Sequence, residues 1–229
     1  MALRVDFENE KISKLLLQLS YPSIIAMLAN ASYNIIYGIY LGNFVGPDAL
    51  GATNAVLPIQ IFYMGITTMV AIGMASLVSM RLGEKKQEDA ALYAGTAIVG
   101  ALLIGAILVA FTIIFSEPLL QVAGAAPEII GESKSYLIGI IIGWIYFPLV
   151  VVGNNLLRCV EEAKKAYSIM LTSIVANIFL APLFILVFKM GTFGVGLSTS
   201  ISQGLSSILL FVYYRRGALV LPLNKKLLE

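Results

Sequence analysis

Six long apolar runs, separated by short charged or Gly/Pro-rich connections, constrain this chain more than any other feature. The runs cover residues 15–43, 50–80, 90–116, 136–157, 166–188 and 194–214. A helix needs about 20 apolar residues to cross a bilayer, whereas a barrel strand needs about 10 with strict alternation. These runs are longer and do not alternate. They predict an all-α integral membrane protein with six transmembrane helices.

The composition agrees with a membrane protein and excludes several functions. Hydrophobic residues make up 59% of the chain and charged residues 12%. Histidine is absent and Cys159 is the single cysteine, so the usual zinc ligand and an internal disulfide framework are missing. No run holds a nucleophile with a plausible base. We therefore expect one membrane domain that is not an enzyme and uses neither a metal nor a cofactor.

The basic residues predict the orientation. If the N-terminus is cytoplasmic, every Lys and Arg except Lys134 and Lys189 belongs to the cytoplasmic side. This bias predicts a cytoplasmic segment at 1–14, a six-helix lobe at 15–216 and a cytoplasmic tail at 217–229, in a multi-pass plasma-membrane protein. Basic residues at membrane flanks favour anionic lipid headgroups, so we expect no nucleic acid partner.

Neutral polar residues recur at helical spacing inside four of the runs. They can form hydrogen bonds between helices, each contributing about 0.6 kcal/mol, or they can line a water-accessible cavity. Spacing alone does not separate these two interpretations. The candidates for a cavity lining are Asn30, Asn34, Tyr37, Gln60, Asn177, Thr199 and Gln203.

Acidic residues are missing from all six runs. Proton relays in transporters rely on Asp, Glu or His inside the bilayer, and a tight sodium site generally uses an anionic oxygen. The predicted spans of this chain supply neither kind of group.

Five blocks of the chain together resemble one known family. In order they read "LLLQLSYPSIIAMLANASYNIIYGIYLGNFVGPDALGATNAVLPIQ", "SLVSMRLGEKKQEDA", "NNLLRCVEEAKKA", "SIVANIFLAPLFIL" and "MGTFGVGLSTSISQ". They resemble the N-terminal half of a multidrug and toxic compound extrusion (MATE) transporter, from about residue 10 to residue 216. Family members have about twelve helices in two six-helix lobes and export cationic and other amphipathic compounds in exchange for sodium or protons. The resemblance implies that this chain forms one such lobe.

The family's coupling motifs match this chain only in part. The first-helix pattern Tyr-Asn-x-x-Asp-Thr corresponds to residues 33–38, where Tyr37 replaces the aspartate. In the fifth helix Asn177 is retained but Ala181 replaces the second acid, and Thr199 matches a threonine of the sixth helix. The resemblance therefore implies a remnant cation site at Tyr37, Asn177, Ala181 and Thr199. Weak sodium affinity is expected without a carboxylate.

Two of the prolines inside predicted spans are candidate hinges. Pro22 and Pro58 each remove a backbone donor, which produces either a fixed kink or a hinge. Pro22 also matches the family's first-helix proline, whose helix bends during alternating access.

These observations predict a half-size MATE-like transporter that acts as a parallel homodimer. It would export cationic or neutral amphipathic solutes by alternating access, with doubtful ion coupling. The expected partners are a second copy or a second MATE-like lobe, membrane lipids and a small solute. The alternative is a non-transporting or truncated lobe that serves as a structural subunit of a larger assembly.

Overall fold

A computed structural model describes residues 12–160 and 162–215, and this part of the chain is helical without any strand. The α-helices are α1 (Ile12–Phe44), α2 (Pro47–Gly83), α3 (Gln87–Ile114), α4 (Ser116–Val122), α5 (Ile130–Trp144), α6 (Phe147–Cys159), α7 (Ala163–Pro182) and α8 (Gly191–Arg215). A short 3₁₀ turn precedes α5, and a π-helical turn at Leu183–Val187 continues α7. The predicted all-α class is confirmed. Most of the predicted terminal segments lies outside the described residues.

The helix lengths and compositions suit a membrane protein. Within the described residues four helices are long and apolar enough to cross a bilayer, namely α2, α3, α7 with its π turn, and α8. A fifth crossing is added if α5 and α6, which meet at a 46° bend, count as one broken span. Helix α1 has 33 residues and coincides with the first predicted run.

The fourth predicted span differs most from its expected form. The sequence predicts one helix over 136–157, but α5 begins at Ile130 and ends at Trp144, and α6 begins only at Phe147. Pro148 explains the break, because proline has no N–H for the carbonyl four residues earlier. The connection before α5 also holds a helix, α4.

The second span shows the opposite behaviour at its proline. Helix α2 continues from Pro47 to Gly83 through Pro58, whose side chain is exposed. A proline is therefore accommodated inside α2, whereas the span that contains Pro148 is interrupted. A hinge at Pro58 remains a prediction.

Two hydrophobic clusters hold the bundle together. The Trp144 cluster joins α2 and α5 through residues that include Tyr63, Leu137 and Ile140. The second cluster is rich in alanine and joins α2, α3 and α6. Large apolar side chains also cover the outer surface; Ile72 is 59% exposed and Phe179 is 72% exposed. Apolar residues facing outward are what a helix bundle presents to lipid.

Candidate functional site

The crossing of α5 and α8 sets the position of the polar residues. A Cβ atom on Gly139 would lie 2.6 Å from the Phe193 carbonyl oxygen, and one on Gly196 would lie 2.5 Å from the Tyr136 carbonyl oxygen. Backbones that approach this closely leave no room for side chains, which is the role of small residues at helix crossings in membranes. Helix α8 is therefore held tightly against α5, and its next residues face α7.

Asn177 is the centre of a buried polar cluster between α7 and α8. Its Nδ2 donates to Thr199 Oγ1 at 3.1 Å, and its Oδ1 accepts from Ser198 Oγ at 3.1 Å. Asn177 is buried and Ser198 is fully buried. The single Ser198 proton is shared between Asn177 and the Val195 carbonyl oxygen, which lies 2.8 Å from Ser198 Oγ, and the Thr199 hydroxyl donates to the same carbonyl within α8. We call Asn177, Ser198 and Thr199 the amide cluster.

These contacts bring together only part of the predicted remnant cation site. Asn177 and Thr199 are brought together, and Ala181 lies buried one turn further along α7. The half-buried Tyr37 packs against the Trp144 cluster. Ala181 has a methyl group where the family has a carboxylate, so the amide cluster is uncharged. Within the described residues no group of three or more His, Cys, Asp or Glu could hold a metal ion.

The two glutamines predicted to line a cavity are both half-buried. The Oε1 atoms of Gln60 and Gln203 are buried and accept no hydrogen bond within the described part of the chain. Gln203 Oε1 lies 2.6 Å from the position that a Cβ on Gly143 would occupy, so this amide rests against α5. Buried acceptors of this kind are costly unless water or a ligand reaches them. A cavity role for these glutamines remains a prediction.

Three other residues of the predicted site and hinge lie on α1. The side chains of Pro22, Asn30 and Asn34 lie outside the described residues, although their backbones belong to α1. The proposed cavity wall on α1 and the first-helix hinge therefore remain predictions.

Several polar residues that the structure brings together were missed in the sequence. Ser200 Oγ accepts from the Gly143 N–H at 2.8 Å and donates to the Gly139 carbonyl at 2.7 Å. The Tyr63 hydroxyl donates to the Trp144 carbonyl. The signal for the first contact was the spacing of small residues, with Gly139 and Gly143 four apart on α5 and Gly196, Ser200 and Gly204 four apart on α8. No comparable signal marks Tyr63.

The clear shifts in carboxylate pKa lie outside the predicted spans. Lys86 at 3.0 Å and then Arg81 at 2.8 Å hydrogen-bond Glu84 and lower its pKa. Lys134, at 2.5 Å from Glu117, lowers the pKa of that carboxyl in the same way. These exposed ion pairs keep their charge at the bundle ends, away from the amide cluster.

Two curated relatives show what this chain is similar to. The multidrug export protein MepA of Staphylococcus aureus is 24% identical over 221 residues, covering 96% of this chain and 49% of that protein. MepA of Staphylococcus saprophyticus is 26% identical over 219 residues, covering 95% of this chain and 48% of that protein. The chain thus spans about half the length of the curated relatives that it matches.

Solved structures have the same fold over the same share of their length. A structure named only as protein A has a TM-score of 0.87 and 31% identity, covering 97% of this chain and 50% of that chain. The outward-facing conformation of a multidrug resistance MATE family transporter has a TM-score of 0.82 and 23% identity, covering 93% and 49%. The family model MatE matches residues 22–183, which is well over half of the chain. The chain therefore belongs to the MATE family.

Proposed function

We propose that this chain is one lobe of a MATE-type transporter and that two copies, side by side in parallel, move solutes by alternating access. The observation that carries the proposal is the amide cluster, a buried polar site between α7 and α8 in a chain of this family. The transported solutes would be cationic or neutral amphipathic compounds. MepA, an export protein for many drugs by its name, supports this class of solute.

The proposed lobe transports without tight coupling to an ion gradient. Asn177 uses its Nδ2 for Thr199 and accepts from Ser198, so each end of the amide already has a partner. A sodium ion at these oxygens would find no carboxylate to offset its desolvation. Ala181 offers neither a charge nor a proton. The expected mode of transport is therefore facilitated diffusion, driven by the solute gradient.

The membrane arrangement is part of the proposal. Helix α1, α2, α3, the bent α5–α6 pair, α7 and α8 would be the six crossings of the lobe at 15–216, with both termini cytoplasmic in the plasma membrane. The asymmetry of Lys and Arg supports this orientation. One fixed orientation requires a partner copy to be parallel, related by an axis along the membrane normal.

Flux measured in liposomes tests the proposal. The purified chain is reconstituted, and efflux of a cationic dye is followed with and without imposed sodium and proton gradients. The parent should show flux that does not respond to the ion gradients. A Tyr37→Asp/Ala181→Asp variant restores both family acids, and its flux should become gradient-driven.

A matched variant separates charge from shape. Tyr37→Asn/Ala181→Asn has nearly the same side-chain size as the acidic variant but no charge, so its flux should stay insensitive to the gradients. Crosslinking in native membranes should trap a parallel dimer. Flux that is coupled in the parent would contradict the uncoupled mechanism.

The second candidate is a non-transporting lobe that serves as a structural subunit of a larger assembly. The hydrogen bonds of Asn177 to Ser198 and Thr199 favour it, because such bonds can hold α7 against α8 without binding any solute. A folded preparation with no flux in the parent or in either double variant would support this candidate.

A further inference from the structure

The break in the fourth span is surrounded by groups that replace lost backbone hydrogen bonds. In a continuous helix the Trp144 carbonyl would accept from the N–H of residue 148. Pro148 has no N–H, so this carbonyl has no helical donor. The Tyr63 hydroxyl on α2 donates to it instead, and the Tyr63 ring stacks on Trp144 with centroids 4.6 Å apart.

A second hydroxyl enters the helix one turn before the break. Ser200 Oγ accepts from the Gly143 N–H and donates to the Gly139 carbonyl, the two groups that pair with each other in an ordinary α-helix. Its oxygen also lies 3.2 Å from the Ile140 carbonyl. A side chain that enters the backbone ladder in this way is an identifiable cause of helix bending.

The residue at the break makes a third contact with α8. The Tyr146 hydroxyl donates to the Ser200 carbonyl. A side chain of α8 thus bonds the backbone of the bent span, and a side chain of the bent span bonds the backbone of α8. Gly204 leaves space for this ring, since a Cβ there would lie 3.3 Å from the Tyr146 hydroxyl. Contacts with α8, as well as those with α2, therefore hold the bent conformation.

The neighbouring helix α3 approaches the break closely at a glycine. A Cβ on Gly105 would lie 2.8 Å from Pro148 Cγ and 2.9 Å from the Tyr63 hydroxyl oxygen. Any larger residue there would push the proline or the tyrosine away. Three helices thus supply the side chains or the space that the bent conformation requires.

We infer that residues 144–148 form a hinge in the fourth span, held bent by the hydroxyls of Tyr63 and Ser200. In a straighter state the Gly143 N–H pairs with Gly139 alone, and Ser200 and Tyr63 are released. Pro148 keeps the Trp144 carbonyl without a backbone donor in either state. The two hydroxyls therefore determine the balance between the states, independently of any transported solute.

Distances between spin labels measure the bend directly. Labels are placed at Glu128→Cys and Arg158→Cys, both exposed positions at the two ends of the α5–α6 pair, in a Cys159→Ser background. Straightening a 46° bend between arms of roughly 20 Å lengthens this distance by about 3 Å. The full chain is measured in lipid nanodiscs by double electron–electron resonance.

Removing either hydroxyl should populate the longer distance. Tyr63→Phe keeps the stacked ring and deletes only the donor, and Ser200→Ala deletes the bridging oxygen. Ser133→Ala is the matched control, because Ser133 is a fully buried serine of α5 whose hydroxyl donates to the Ile129 carbonyl of its own preceding turn. The control should keep the wild-type distribution.

Restoring the missing backbone donor provides an independent arm. Pro148→Ala supplies an N–H to the Trp144 carbonyl and should shift the distribution to the longer distance. Adding Tyr63→Phe to Pro148→Ala should then change nothing further, because the hydroxyl has become redundant. Unchanged distances in Tyr63→Phe and Pro148→Ala, in preparations that elute as folded protein, would overturn the hinge.

Discussion

Consecutive residues of α8 make two very different polar contacts. Ser198 and Thr199 meet the side chain of Asn177 on α7, and all three groups belong to side chains. Ser200, the next residue, meets the backbone of α5 at Gly139 and Gly143. The first contact leaves the helical hydrogen bonds of both helices intact, whereas the second takes part in the hydrogen bonding of its neighbour.

The difference teaches how a neutral polar residue can act inside a membrane bundle. A side-chain amide surrounded by hydroxyls fixes two helices without altering either one. A hydroxyl placed where the backbones touch can substitute for a helical partner, and the helix can then bend. The glycines of the α5–α8 crossing allow the second contact, because they bring Ser200 within reach of the α5 backbone.

The largest expected effect comes from closing the α5–α8 approach. Gly139→Ala places a methyl group 2.6 Å from the Phe193 carbonyl oxygen and 2.9 Å from the Leu197 nitrogen, so the helices must separate. Overpacking against a rigid backbone should cost about 3 kcal/mol. The measurement is the unfolding free energy in detergent.

A second glycine of α5 is the control for this prediction. Gly131 has open space where its Cβ would lie, so Gly131→Ala should be neutral or slightly stabilising. Equal stability of the two variants would mean that the backbones are not in contact at Gly139. The contact of α8 with the α5 backbone would then no longer differ from its contact with the Asn177 side chain.

A smaller effect is expected from emptying the amide cluster. Asn177→Ala removes the two bonds to Ser198 and Thr199, but both hydroxyls keep the Val195 carbonyl as an acceptor. The loss in unfolding free energy should be about 1 kcal/mol. Adding Ser198→Ala completes a double-mutant cycle and isolates the coupling between the two side chains.

Asn155 serves as the matched asparagine for that measurement. Its Nδ2 donates to the Val151 carbonyl of its own helix, at 2.9 Å, so Asn155→Ala breaks no bond between helices. A loss in Asn155→Ala as large as that in Asn177→Ala would show that the amide cluster adds nothing beyond local helix effects.

The smallest effect is expected at an ion pair that lies on neither contact of α8. Lys134 lowers the pKa of Glu117, so the carboxylate stabilises the fold above its unfolded pKa, and this contribution is lost as the pH falls through its lower folded pKa. Glu117→Gln should therefore reduce the melting temperature slightly at neutral pH, and the difference from wild type should vanish in acid.

Salt provides the control for the ion pair. Exposed pairs are screened, so the neutral-pH difference between wild type and Glu117→Gln should shrink at high ionic strength. A difference that grows in acid or is unaffected by salt would contradict an ionic origin. The pair could then no longer serve as the small-effect comparison for the Gly139 and Asn177 variants.

The sequence by itself determined the solvent, the secondary structure class and the family. Apolar runs of this length can satisfy their backbone in lipid only as helices, and the observed helices lie at all six predicted runs. The order of the five motif blocks identified the family, which the match over residues 22–183 confirms. The family resemblance assigned Asn177 and Thr199 to one remnant cation site; the structure joins the two side chains by a hydrogen bond, and their binding of a cation stays a prediction.

Only the tertiary structure decided where the polar residues find partners and where a helix breaks. Pro58 and Pro148 look alike in the sequence, yet α2 continues through the first and the fourth span breaks at the second. The outcome at Pro148 involves a tyrosine from α2 and a serine from α8 that lie far away along the chain. Helical periodicity describes one helix at a time, so contacts that depend on the approach of a second and a third helix cannot be obtained from it.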